Sequence, residues 1–156
     1  MKKTIFLCLI AFAAFCVHAQ SAESVSDLLE SEKANMGQLS YLCASKLGVI
    51  SEDASYADAL DVLKKEGIVR DSKKITAETP VRMGELSFVL SKTWDIEGSL
   101  FYKINKSKRY AFMQCKALGI IPSSVSGIKI ASGRDVLNAI TMCNNLYPGK
   151  SEGEAK

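Results

Sequence analysis

Apolar positions along this chain form two kinds of pattern. Thr4 to Val17, TIFLCLIAFAAFCV, is a continuous uncharged run. From Asp27 onward the apolar residues recur at helical spacing instead. Ser26 can cap a first helix whose Leu39, Leu42, Cys43, Leu47 and Ile50 share one face, broken by Gly48. Ser55-x-x-Asp58 is a capping box for a second helix, with Tyr56, Ala59, Leu60 and Leu63 on one side and a stop at Gly67. Thr79-Pro80 reads as N-cap and first turn of a third, with Met83, Leu86, Val89, Leu90 and Thr93 inward until Trp94-Asp95. A fourth covers Tyr110 to Leu118 and stops at Gly119. Ser132 caps a fifth, with Val136, Ile140, Cys143 and Tyr147 on one face, and Pro148-Gly149 ends it. Lys74–Thr76 and Ile128–Ile130 read as short extended pieces in the loops. The expectation is a mainly α, single small domain of about five helices.

The pattern repeats. Met36-Gly37-Gln38-Leu39-Ser40-Tyr41 matches Met83-Gly84-Glu85-Leu86-Ser87-Phe88 without a gap, 47 positions apart. ALDVLKKEGIV (59–69) matches AFMQCKALGII (111–121), 52 positions apart. A weaker third match sets Gly133 of GRDVL against Gly84. The unit is a helix, a glycine stop with two apolar residues, a polar loop, and a second helix, as in stacked helical hairpins. The organisation expected is a half unit at 27–50 and full units at 55–96 and 107–147 within a repeat domain spanning 27–148. Flanking it are a leader at 1–19, a flexible stretch at 20–26 and a disordered tail at 149–156.

The continuous run defines the leader. Lys2-Lys3 precede it and Val17-His18-Ala19 follow, the layout of a secretory signal peptide cleaved after Ala19. The run is shorter than the ~20 residues of a stable membrane span. Lipidation at Cys16 is the competing reading, opposed by Phe15 where a small residue is needed. Export places the mature chain in the periplasm, envelope or extracellular space. Removing residues 1–19 takes Lys2 and Lys3 from the 20 basic residues, leaving 18 against 17 acidic ones. Nothing in that balance points to nucleic acid.

Cleavage also removes His18, the sole histidine. The remaining chain has no imidazole for a general base, a catalytic triad or a mixed Cys-His zinc site. Three cysteines remain: Cys43, Cys115 and Cys143. The repeat aligns Cys43 with Leu90 and Cys115 with Leu63, so a small buried hydrophobe is one reading. A disulfide among the three is the other. No spacing supports a metal centre, and no cofactor is expected.

The surface candidate is the connector between the units. Phe101, Tyr102, Lys103, Lys106, Lys108, Arg109 and Tyr110 interleave aromatic and basic side chains within ten positions. Aromatic faces can stack on sugars while Lys and Arg pair with carboxylate or phosphate. A solvated connector with its aromatics packed on the core is the plainer alternative. Asn105-Lys106-Ser107 is formally a glycosylation sequon. Asp58, Asp61 and Glu66 lie beside Lys64 and Lys65 as an ordinary solvated face.

The segment SYADALDVLKKEGIV…KKITAETPVRMGELSFVLSK (55–92) resembles an S-layer homology repeat, and RYAFMQCKALGIIP…KIASGRDVLNAI resembles it more loosely. The GEL helix followed by an RYA segment is also similar to small exported proteins of spirochaetes. Gly84-Glu85 fall where the family's motif has Ala-Glu, but Met83 occupies the arginine position, so the glycan-binding residues are not carried over. The resemblance implies a helical, non-enzymatic envelope domain that binds cell-wall polysaccharide. The functional expectation is an exported structural or binding module, whose partner is a cell-wall glycan or another envelope protein. A helical carrier of a small apolar ligand is the alternative. An enzyme working through carboxylates alone would need two facing acids ~5–10 Å apart, and no pair is placed for that.

Overall fold

A computed structural model describes residues 25–97 and 107–148. The domain is mainly helical. Five helices are named in chain order: α1 (Met36–Leu47), α2 (Tyr56–Lys65), α3 (Met83–Thr93), α4 (Lys108–Ala117) and α5 (Gly133–Leu146). A helical segment at 25–30 leads into them. The predicted leader and the tail lie outside the described residues. Among the described residues, no helix is long and apolar enough to cross a membrane.

A ring of backbone hydrogen bonds organises the fold. Val81 N–H donates to the Ala34 carbonyl (2.9 Å), Ala131 N–H to Val81 (2.8 Å), and Ala34 N–H to Ala131 (2.9 Å). All three residues are fully buried, and each immediately precedes an N-cap: Asn35, Arg82 and Ser132. Three related chain segments therefore close on one another as a pseudo-threefold. The interior needs this arrangement, because a buried backbone group without a partner costs about as much as a lost hydrogen bond.

The ring explains where the first-turn donors of the helices go. A helix N-terminus leaves four N–H groups without intrahelical partners. Met36 N–H donates to Thr79 and Gly37 N–H to Ala77 (both 2.8 Å). One unit later, Met83 N–H donates to Lys129 and Gly84 N–H to Gly127 (both 2.9 Å). At the third position Gly133 N–H donates to Ser31 (2.9 Å). The paired Met-Gly sequences are thus docking points between neighbouring units. A Cβ on Gly37 would stand 2.8 Å from Tyr56 Cβ and 2.9 Å from Ala77 Cβ, so the glycine is required for the approach.

The helix stops recur with the same bonding. Gly67 and Gly119 adopt φ of 67° and 73°, a left-handed conformation that glycine tolerates without steric cost. Ile68 and Val69 N–H both reach the Leu63 carbonyl, and Ile120 and Ile121 N–H both reach Cys115. These apolar pairs are buried against the core.

Four sequence expectations are corrected. The first predicted helix is not continuous from Asp27. It breaks over residues 31–35, because Ala34 must be extended to join the ring and Asn35 then caps α1 with Gln38 in a capping box. Thr79-Pro80 does not start the third helix. Pro80 bridges to Asn35 and Arg82 to Ile130, and α3 begins three residues after Pro80, at Met83. Gly133 aligns with Met83 and Met36 rather than with Gly84, since it is the first residue after its N-cap. The extended residues lie at these bridges, not at Lys74–Thr76.

Packing completes the domain. α2 lies on α1, α4 lies on α3, and α3 joins α1 and α5. Leu39, Leu63, Met83, Leu86, Leu90 and Trp94 are buried almost completely between them. Each such side chain contributes about 1.5–3 kcal/mol by leaving water.

Candidate functional site

The N3 residues show how local chemistry shapes the surface. Asn35 N–H donates to Gln38 Oε1 (3.1 Å), Arg82 N–H to Glu85 Oε2 (3.3 Å) and Ser132 N–H to Asp135 Oδ2 (2.9 Å). The difference in charge between Gln38 and Glu85 leaves this bond intact, although Arg82, unlike Asn35, has no side-chain acceptor for the N3 N–H. The charge changes the neighbourhood instead: Lys108 Nζ reaches Glu85 Oε1 at 2.7 Å. Lys108 opens α4 at the position that Tyr56 holds in α2. In the first pair Tyr56 stacks edge-on against Tyr41, with ring centroids 5.7 Å apart, and Tyr41 Oη donates to the Glu52 carbonyl. In the second pair the counterpart of Tyr41 is Phe88, and Lys108 stands where Tyr56 would supply an aromatic ring. Phe88 is left half-buried at the edge of a cleft.

That cleft has a volume of about 340 Å³. Met36, Val69, Ile75, Phe88 and Val89 form its apolar part, and Arg70, Glu85, Lys92 and Lys108 its charged part. Lys92 Nζ lies 4.7 Å from the Phe88 ring centroid and donates to the Gly67 carbonyl, which ties α3 to the stop of α2. Arg70 is exposed; among the described residues no ion pair includes it. A second cleft of similar volume adjoins the first, lined by Arg82, Gly84, Arg109, Phe112 and Ile128. Glu85 and Lys108 line both clefts. The site presents an apolar wall beside three cations and one carboxylate, a mixture suited to an anionic ligand with an apolar or ring-shaped body.

Of the residues singled out from sequence, Phe101, Tyr102, Lys103 and Lys106 lie outside the described residues. Lys108 and Arg109 border the clefts. Tyr110 is half-buried on the first turn of α4. Sequence reading missed Arg70, Phe88 and Lys92. The signal available for Phe88 was its pairing with Tyr41 in the repeat, once the partner positions Tyr56 and Lys108 are compared.

The cysteines stand apart from the clefts. Cys43, Cys115 and Cys143 are free thiols, all fully buried. The disulfide reading is not realised in this structure. Cys115 Sγ is 3.6 Å from Ser91 Oγ and 3.8 Å from the Ser87 carbonyl. Burial pushes the Cys43 thiol up to about 12, against a smaller opposing hydrogen bond with Thr93. Burial, then the neighbouring Cys115 and Cys43, pushes Cys143 up to about 12. Thiols in this state are poor nucleophiles. Among the described residues, no group of three or more Cys, Asp, Glu or His side chains is placed to hold a metal ion.

In comparison with known proteins, no family model matches the chain and no curated protein matches it.

Proposed function

We propose that this protein is an exported, non-enzymatic binding module of the cell envelope, which engages a cell-wall glycan or an envelope protein partner through the cleft beside Phe88. The observation that carries this reading is the cleft itself, where an aromatic face and Arg70, Lys92 and Lys108 surround one space. Acidic groups of a glycan would pair with the cations while a sugar face rests on Phe88. The signal-peptide pattern at residues 1–19 and the resemblance to S-layer homology repeats support the compartment and the ligand class. The absence of histidine from residues 20–156 supports binding over catalysis.

The apolar side of the same cleft favours a second reading, a carrier of a small apolar ligand. Met36, Val69, Ile75 and Val89 could cover such a molecule, and the volume is at the small end of ligand sites, which start at about 300 Å³. Native mass spectrometry of protein from its own host distinguishes the two, because a carrier arrives with its ligand bound.

The deciding experiment is retention on purified cell-wall glycan. The wild-type protein should be retained, with retention falling as salt rises. Arg70→Glu should abolish retention without unfolding the protein, since Arg70 is exposed. No retention, together with no envelope partner captured by crosslinking, would overturn the proposal.

A further inference from the structure

The α1–α2 and α3–α4 pairs follow one plan, so the same place on the surface occurs twice. In α1–α2 the space between the helix starts is filled. A Cβ on Gly37 would meet Tyr56 Cβ at 2.8 Å and Ala77 Cβ at 2.9 Å. In α3–α4 the space is open. Lys108 stands in place of Tyr56. Gly127 stands in place of Ala77, since its carbonyl accepts from Gly84 N–H as the Ala77 carbonyl accepts from Gly37 N–H. Among the described residues, a Cβ on Gly84 would have only the Gly127 backbone within 4 Å. The second cleft, about 340 Å³ in volume, occupies this place.

The residues lining the cleft differ from their counterparts in one direction. Arg82 replaces Asn35, Arg109 replaces Ala57, and Ile128 replaces Glu78. One turn after Arg109 on α4, exposed Met113 replaces Asp61. Acids have given way to apolar residues, and neutral residues to cations. The one carboxylate in the cleft, Glu85, is engaged by Lys108 at 2.7 Å. Arg82 and Arg109 are exposed, and among the described residues no ion pair includes either. Two guanidinium groups bordering one space suit carboxylates, whose two oxygens each can bind at once. The apolar part of the cleft discriminates between sources of carboxylate. The Phe112 ring is already engaged. Lys116 Nζ lies 5.1 Å from its centroid and is held there by the Val125 carbonyl, and a Cβ on Gly127 would lie 3.4 Å from the ring carbons. The apolar surface still open is aliphatic: Ile128, 79% exposed. It offers a sugar no ring to stack on, but it can pack against an aliphatic side chain. Acidic groups carried by a protein therefore fit better than those carried by a glycan.

We propose that the second cleft docks an acidic segment of a partner protein, with Asp or Glu side chains paired to Arg82 and Arg109 and an aliphatic side chain between them seated on Ile128. The site is distinct from the one assigned to the Phe88 cleft and does not depend on what that cleft binds. Only Glu85 and Lys108 border both.

Nuclear magnetic resonance titration of isotope-labelled protein from an exporting host tests this. The probe is a capped hexapeptide, Glu-Leu-Glu-Glu-Leu-Glu. It should shift the amides of Gly84, Arg109, Gly127 and Ile128, and binding should weaken as salt rises. Exchanging its leucines for serine, or its glutamates for glutamine, should weaken binding by about tenfold. Arg109→Ala with Ile128→Glu should weaken it by about tenfold or more. Both substitutions install residues that the α1–α2 pair already carries at these places, and both positions are exposed, so the fold accommodates them. Val49→Asp, at an exposed apolar residue elsewhere, should bind as wild type does. No shift at millimolar peptide overturns the proposal, as does a serine peptide that binds equally well or a double variant that binds unchanged. Shifts confined to Arg70 and Phe88 would place the acidic segment in the other cleft and overturn it too. So would a galacturonate trimer that shifts the second-cleft amides at lower concentration than the peptide, since the cleft would then be a glycan site.

Discussion

Helices α3 and α5 stand at related positions, yet one is enclosed and the other is not. Both begin just after a ring residue, Val81 or Ala131, and both carry an N3 acid that accepts from the N-cap N–H, Glu85 or Asp135. α3 receives α4 on one side and α1 on another, so even its serines are buried. On α5 the matching Leu137 and Ile140 are only half-buried and Thr141 is exposed. The difference teaches that a helix's own sequence fixes its ends, while its neighbours decide how much of its circumference is core. The comparison can be broken at the point where α5 is held, measured by the depth of its flank, or refined at single serines.

The largest effect is expected at Gly133. Its N–H joins α5 to Ser31, and an added Cβ would lie 1.5 Å from the Leu28 carbonyl oxygen. Backbone cannot yield by that distance without moving the leading segment. Gly133→Ala should cost roughly 3 kcal/mol, at the upper end of overpacking, although alanine favours a helix by about 1 kcal/mol. Gly84→Ala is the control, because its Cβ would meet the Gly127 carbonyl at 3.3 Å and the two terms nearly cancel. Urea unfolding of both variants measures the contrast. Equal midpoints would show that the leading segment does not hold α5 at Gly133.

A second contrast compares the flanks directly. Leu90 and Ile140 lie eight positions beyond their N-caps. Leu90 is fully buried and Ile140 half-buried. Leu90→Ala should cost about 3 kcal/mol, within the range for deleting a buried leucine. Ile140→Ala in dilute solution should cost about 1 kcal/mol, because much of its surface is already in water. Chemical denaturation at low protein concentration reads both. Comparable losses would mean that another part of the chain covers α5.

Much of this was legible in the sequence where chemistry is local. Ser55 and Ser132 cap as their spacing indicates, and Gly67 and Gly119 end their helices. The Met-Gly repeat marks the equivalent starts of α1 and α3. The ring was not legible, because Ala34, Val81 and Ala131 carry no signal for bonds across 47, 50 and 97 positions. That omission explains the misplaced helix start at Thr79-Pro80, a pair that looks like a local cap until Val81 is required to be extended. The cleft was half-legible. Lys108 and Arg109 stood in the basic connector, but Arg70 follows the stop of α2 and Lys92 lies near the end of α3, and only the fold brings them together.

The smallest effect separates the twin serines of the repeated motif. Ser87 Oγ donates to the Met83 carbonyl at 2.7 Å, whereas buried Ser40 Oγ has no partner. Their surroundings differ in a matched way. Above Ser87 stand Ser91 and the Cys115 thiol, a polar couple 3.6 Å apart. The residues at the matching repeat positions in the first unit are Ala44 and Leu63, which offer nothing to a hydroxyl. Removing a satisfied hydroxyl costs about 1 kcal/mol, while removing a buried unsatisfied one is neutral or stabilising. Ser87→Ala should therefore lower stability by about 1 kcal/mol, and Ser40→Ala should leave it unchanged or raise it slightly. Paired thermal and urea melts resolve a gap of this size. Should both variants lose the same amount, the Ser40 hydroxyl must turn back to the Met36 carbonyl as its twin does to Met83, and the first two units would be equivalent in polar as well as apolar packing.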